Sequence, residues 1–148
     1  MPSGKNAGDV SDAAPLLLDT HYWIWLQLGT TDRISSRVRL AIEHAAASGR
    51  LLLSVISVWE LGLLEAKGRI QLSMPCHEWV SRALATPGLV LAPLSAEIAV
   101  DSSHLPEPFH GDPADRIIIS TARRMSAKLV TCDEKMRAYA KQHRMPIL

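Results

Sequence analysis

The chain has 148 residues, 47% of them hydrophobic, and a formal net charge of +1. That length suits one domain with a sizeable core, and no apolar run is long enough to span a membrane, so no membrane role is expected. Cys76 and Cys132 are too few for a disulfide framework and are expected to stay reduced. With no apolar signal core in the polar opening stretch, this points to a cytoplasmic protein.

Residues 1–14 read as a flexible lead-in, and residues 15–148 as the domain. "PLLLD" predicts a short buried strand, Leu16–Asp19, and "HYWIWLQLG" a helix that Gly29 ends. "SSRVRLAIEHAAASGR" spaces its apolar residues as a helix does, with Ser35 or Ser36 as cap and Gly49 as stop. "LLLS" predicts a second strand, Leu51–Ser54, followed by a helix over "VISVWELGLLEAKGR" that ends near Gly68. "CHEWVSRALA" is an amphipathic helix, stopped at Pro87-Gly88. "LVLAPL" predicts a third strand, Leu89–Leu94, and "SAEIAVDSSHL" a short helix capped by Ser95. "DPADRIIISTARRMS" is the next helix, "KLVTCD" a fourth strand and "EKMRAYAKQH" the last helix. "PIL" at the end is a candidate fifth strand. The alternation of short, continuously apolar strands with helices predicts an α/β fold. Its expected form is a three-layer α/β/α sandwich around a central parallel sheet of four to five strands.

In such a sheet, ligands bind beyond the carboxyl ends of the strands. The sequence sends four acids there. Asp19 ends the first strand and Asp133 the fourth. Glu60 follows the second within two helical turns, and Asp115 lies in the first turn of the helix leading to the fourth. Two unit charges 5 Å apart repel by roughly 3 kcal/mol at an effective dielectric near 20. Four clustered carboxylates therefore hold a proton or bind a cation. No Cys/His set has metal-ligand spacing, and an all-oxygen site selects Mg²⁺, or Mn²⁺, over zinc. Such an ion suits phosphodiester chemistry.

Each acid also has a purely structural explanation. Asp19 and Asp133 suit helix caps, and Glu60 follows Ser57 by three as in a capping box. If Ser54 is the true cap, Glu60 lies deeper in the helix and is free to face the site. Asp112 before Pro113 is the natural N-cap of its helix, where Asp115 suits the dipole. Charge is uneven as well: residues 116–148 carry +6 and residues 1–115 carry −5. A basic C-terminal third is compatible with a polyanion partner or with a solvated helix face.

At these residues the chain resembles the PIN-domain ribonucleases, and among them the VapC-type toxins of bacterial toxin–antitoxin pairs. The resemblance covers residues 15–148. It rests on "LLLDTHYWIW", "SVISVWELGLLEAKGRI", "HGDPADRIIISTA" and "LVTCDEKMRAY", in that order. It implies that Asp19, Glu60, Asp115 and Asp133 bind metal and are catalytic. Thr20, His21, Ser57, Asp112, Arg116 and Thr131 are then supporting polar neighbours. It also implies RNA as substrate, a VapB-type antitoxin as partner, and a homodimer. Ala114 stands where an aromatic is common and Gly111 where Arg is common. Ser120 and Thr121 replace Ala-Gln. None of these departures removes an acid.

Two other readings remain open. One is a PIN-like fold kept as a non-catalytic binding module. The other is an aspartyl-nucleophile phosphatase, which usually needs a second acid two residues after Asp19, where this chain has His21. Trp23, Trp25 and Trp59 are expected in core or interface rather than as base-stacking platforms.

Overall fold

The computed structural model describes residues 13–107 and 109–148. Most of the expected lead-in, residues 1–12, lies outside the described residues. Four strands, β1 (Leu16–Leu18), β2 (Leu51–Ser54), β3 (Leu89–Ala92) and β4 (Lys128–Val130), form one sheet in the order β3-β2-β1-β4. Every pairing is parallel, with Leu17 opposite both Leu52 and Leu129. Among the described residues, seven α-helices connect and cover them: α1 (Thr20–Leu28), α2 (Ser36–Ala47), α3 (Val55–Ala66), α4 (Cys76–Leu84), α5 (Ala96–Ser103), α6 (Pro113–Arg124) and α7 (Glu134–Gln142).

Alternation along the strands builds a core on each face of the sheet. Leu16, Leu18, Leu51, Leu53 and Val130 pack with Trp23, Ile42, Leu61 and Trp79, so α1 to α4 cover that face. Leu17, Leu52 and Leu129 pack on the other face with Ile118, Ile119, Met136 and Tyr139 from α6 and α7. The three-layer sandwich is therefore present. Trp23 is fully buried and meets Trp79 edge to face, with ring centroids 5.6 Å apart. Arg33 covers the Trp25 ring, and Trp59 stands exposed on α3.

Three strand expectations change. β3 stops at Ala92, because Pro93 has no N–H for the ladder, and as an edge strand it leaves Val90 and Leu91 exposed. The covering of both strand faces thus holds in the centre of the sheet and fails at this edge. "PIL" forms an isolated bridge from Ile147 to Leu129, not a fifth strand. β1 and β4 end before their acids: Asp19 caps α1 and Asp133 caps α7. The Asp19 N–H still donates to the Val130 carbonyl at 2.9 Å, which holds the ends of β1 and β4 together just below those acids.

That pair of strand ends positions the site. From β1 the chain runs outward to β2 and β3, then returns to the other side of β1 as β4. The order reverses between β1 and β4, where an open parallel sheet presents its ligand crevice.

Candidate active site

Three helices begin at this crevice, and each begins with an aspartate. Asp19 Oδ1 accepts the Thr20 N–H at 2.7 Å. Asp112 Oδ1 accepts the Asp115 N–H at 2.9 Å, with Pro113 in the first helical turn. Asp133 Oδ1 accepts the Met136 N–H at 2.9 Å. Each cap engages one oxygen with backbone and leaves the other oriented by the same turn. Capping and lining the crevice are thus one arrangement, and the positive ends of three helix dipoles meet where the acids gather.

Glu60 arrives differently. Ser54 caps α3 by accepting the Ile56 N–H at 3.2 Å, so the capping box with Ser57 does not form. Glu60 then lies in the second turn of α3 and faces the crevice. Its Oε1 accepts the Thr20 hydroxyl at 2.5 Å. Thr20 Oγ1 is also 2.8 Å from Ser57 Oγ. Since Thr20 has one hydroxyl proton, and Glu60 takes it, Ser57 is the donor in the second bond. Thr20 and Ser57 are both fully buried.

Asp19 is held from the opposite side. It is 4% exposed, and its Oδ2 accepts the Thr131 hydroxyl at 2.7 Å. Thr131 Oγ1 in turn accepts the Asp133 N–H at 3.1 Å, tying the first acid to the last through one hydroxyl. Arg137 Nη1 donates to the Thr131 carbonyl at 2.9 Å and to the Leu148 carbonyl at 2.9 Å, which fastens this turn from α7. Sequence reading alone misses Arg137. Its signal is the spacing of one helical turn from Asp133, which is common on any helix and so carries little information.

Among the described residues, the acids whose carboxylate oxygens converge within 4.8 Å of one another are Glu60, Asp112 and Asp115. Asp112 thus joins the cluster as well as capping α6. Asp19 and Asp133 stand beside it, close enough to act on the titration of their neighbours. Burial pushes the Asp115 carboxyl up to about 7, and Asp112, Asp19, Asp133 and Glu60 add to the rise in that order. Burial likewise raises Glu60, against the Thr20 hydrogen bond, and Asp19 and Asp112 raise it further. Asp19 is also raised, chiefly by burial, although Thr131 and Thr20 act to lower it. The acids are gathered more tightly than their mutual repulsion allows unless a proton or a cation sits among them.

The cluster is open to solvent on two sides. A groove of about 560 Å³ runs over Asp112, Asp115, Cys132, Asp133 and Lys135. A second, of about 260 Å³, lies between α3 and α6, with Trp59, Glu60, Lys67 and Arg69 along it. His21 is exposed at the start of α1. Arg116 turns away from the acids into a recess against α5.

Gly111 and Ala114 make physical sense here. A Cβ on Gly111 would lie 2.0 Å from the Phe109 ring, which packs edge to face on Tyr139 at 5.4 Å. Ala114 is 2% exposed in the first turn of α6.

A parallel sheet with acids gathered at its order reversal defines the class, and residues 16–142 match the PIN domain: the chain belongs to the PIN-domain family. Within that family it is of the VapC type. It is 34% identical over 135 residues to Ribonuclease VapC22 of Mycobacterium tuberculosis, covering 89% of this chain and 95% of that protein. Solved structures share the fold. VapBC2 from Rickettsia felis bound to a promoter DNA fragment aligns with a TM-score of 0.62 at 19% identity, over 90% of this chain and 96% of that one. DNA-bound VapBC from Salmonella typhimurium aligns at 0.60 and 15% identity, over 92% and 98%.

Proposed function

We propose that this protein is a divalent-metal-dependent endoribonuclease, the toxin of a VapBC-type toxin–antitoxin pair. The observation that carries this reading is the convergence of Glu60, Asp112 and Asp115 within 4.8 Å, beside Asp19 and Asp133, at the ligand crevice of the sheet. The donor set is all oxygen and anionic, as Mg²⁺ or Mn²⁺ requires. Glu60, Asp112 and Asp115 would hold the ion, with Asp19 and Asp133 completing its charge balance. When bound, such an ion lowers the pKa of water and stabilises charge on phosphoryl oxygens.

The chain's own residues prepare that chemistry. Thr131 holds Asp19 and Asp133 in one register, and Ser57 and Thr20 fix Glu60. Asp115 has to give up its proton for the full negative charge to develop. Lys135, Lys67 and Arg69 line the flanking grooves and offer phosphate contacts on both sides of the cluster.

A VapB-type antitoxin is the expected partner, placed over the acids where it excludes RNA. The VapBC assemblies that share this fold support that pairing. A homodimer is also expected, and the exposed Trp59 and the apolar rim of β3 are suitable surfaces for partners. No helix among the described residues is long and apolar enough to cross a membrane.

The phosphatase reading loses ground on geometry: both Asp19 oxygens already accept hydrogen bonds in a buried position. A non-catalytic module would be marked by the loss of an acid, and all are present.

The test is RNA cleavage by purified protein with Mg²⁺, comparing the parent with Asp19→Ala and Asp115→Asn. Each variant is expected to lose at least about three orders of magnitude in rate, roughly 4 kcal/mol of barrier, while keeping its circular dichroism spectrum. Undiminished cleavage by either one would sink the assignment. Mapping cleavage ends across total RNA, parent against Asp19→Ala, identifies the substrate.

A further inference from the structure

We propose that a line of basic recesses along α6, leading away from the acid cluster, holds the phosphates of the RNA strand beyond the cleaved bond. The inference rests on the nuclease reading for its ligand, and it stands on separate residues. Arg116, Ser120 and Arg123 follow one another at i, i+4 and i+7 and so share a stripe of α6, about a quarter turn round from Asp115.

The stripe is hollowed against α5. The recess nearest the acids, about 300 Å³, is lined by Arg116, Ser102, Ser103 and Gly111, and Gly111 also borders the groove over the acids. Arg116 Nε is buried there with no hydrogen-bond partner among the described residues. A guanidinium N–H in that state is costly, and its burial ties the inner end of the side chain in place; the outer guanidinium nitrogens of Arg116, with no ion pair among the described residues, are the ones a phosphate oxygen in the recess would meet.

The next recess, about 440 Å³, is lined by His104, Ser120, Arg123 and Arg124. Asp101 is the acid on its wall, paired with Arg124 at 3.2 Å. The Ser120 hydroxyl is already committed to the Ile98 carbonyl at 2.8 Å, so a ligand here would meet Arg123, which lies beside Tyr139, and the half-exposed Arg124 in exchange for part of its pairing with Asp101. Arg123 also borders a third recess, about 260 Å³, together with Arg144.

From Asp115 to Arg123 is eight positions, or about 12 Å along the helix. That is beyond the reach of a dinucleotide lying on the cluster and within reach of a longer strand. Arginines in the last turn of a helix also suit its dipole. That preference accounts for Arg123 and Arg124 in sequence, but not for the recesses they line or for Arg116 at the other end.

The experiment measures binding of a fluorescein-labelled single-stranded RNA of about twenty nucleotides by anisotropy, in EDTA, across a sodium chloride series. The full chain is compared with Arg123→Ala/Arg124→Ala and with Arg124→Glu alone. The single change keeps the test valid if removing Arg123 from beside Tyr139 unfolds the double variant. Affinity is expected to fall by about 10- to 100-fold in the double variant. The slope of log affinity against log salt should shrink by about 0.7 for each phosphate that is no longer neutralised. Replacing both arginines by lysine should restore most of the slope.

Unchanged affinity and slope in Arg124→Glu and in the folded double variant would overturn the proposal. Cleavage with Mg²⁺ is scored separately. A parent that binds through the recesses but does not cleave sinks the nuclease reading and leaves the recesses standing. A parent that cleaves, with variants that bind as it does, sinks the recesses alone.

Discussion

Asp19 and Asp115 carry the same side chain at the same crevice, and the fold treats them in opposite ways. Asp19 is buried, and both its oxygens accept hydrogen bonds, from a backbone N–H and from Thr131. Asp115 is half-buried, its carboxylate accepts no hydrogen bond among the described residues, and its neighbours are four other acids. The strand-end half of the site is finished by protein alone. The α6 half is left electrostatically incomplete. The difference separates two tasks: Asp19 is a fixed reference held by the sheet, and Asp115 is the group whose charge state answers to what enters the crevice.

Among changes that leave the acids themselves in place, removing the support of the finished half gives the largest effect. Thr131→Val keeps volume but deletes the donor to Asp19 and the acceptor for the Asp133 N–H. Activity and divalent-ion affinity are expected to fall by about 10- to 100-fold, as for other groups that orient ligands from behind. The buried Asp19 oxygen left without its donor should cost roughly 1–3 kcal/mol in denaturant unfolding. Near-parental activity with that stability loss would show that Asp19 does not need to be held, and the contrast with Asp115 would collapse.

Titration probes the unfinished half. The Asp115 carboxyl lies near 7 in the folded chain against an ordinary value of 3.8. Between those values the native state carries a proton that the unfolded state lacks, so metal-free stability falls as pH rises from about 4 to 7 and levels off above. Partial exposure reduces the effect, leaving roughly 1–2 kcal/mol. The metal-free parent should therefore lose about 2–4 °C in Tm between pH 5 and pH 8, relative to Asp115→Asn. Saturating Mg²⁺ should reverse the loss above pH 7, because the cation replaces the proton. Parallel Tm curves for parent and variant would mean that the repulsion inferred for Asp115 is absent.

Much of this was legible in the sequence because local signals agreed with the global fold. Short apolar strands alternating with capped helices implied the parallel sheet, and Gly29 does end α1 in the left-handed region, at φ 71°. Strand ends were less legible. "KLVTCD" reads as a strand to Asp133, but the Thr131 hydroxyl takes up the Asp133 N–H and the strand ends three residues earlier, at Val130. The exposed edge of β3 was hidden for another reason: Val90 and Leu91 are as apolar as a central strand, and nothing local shows which strand lies outermost. Within the site, the sequence marks each acid as either a cap or a candidate ligand. That choice is too sharp, because a cap uses one oxygen and a carboxylate has two. Arg137 and the recesses beside Arg116 depend on packing between distant elements, which no spacing rule encodes.

Asp112 offers the finest test, since it belongs to both halves of that choice. It caps α6 through Oδ1 and, after burial, is the main cause of the raised Asp115 carboxyl. Asp112→Ser keeps a capping oxygen and removes the charge, whereas Asp112→Ala removes both. Only the alanine variant should lose the cap's roughly 1 kcal/mol, about 2–4 °C in Tm for a domain of this size. Both should bring the Asp115 titration down toward the ordinary carboxylate range, because the repulsion goes with the charge in either case. Calorimetry with Mg²⁺ should show a comparable loss of affinity, about tenfold, in the two variants. If serine restores Mg²⁺ affinity along with Tm, Asp112 acts on the ion only by shaping the first turn of α6, and the metal set reduces to Glu60 and Asp115 with Asp19 and Asp133 beside them. If serine restores Tm alone, the carboxylate itself meets the cation, and the helix start is part of the metal site.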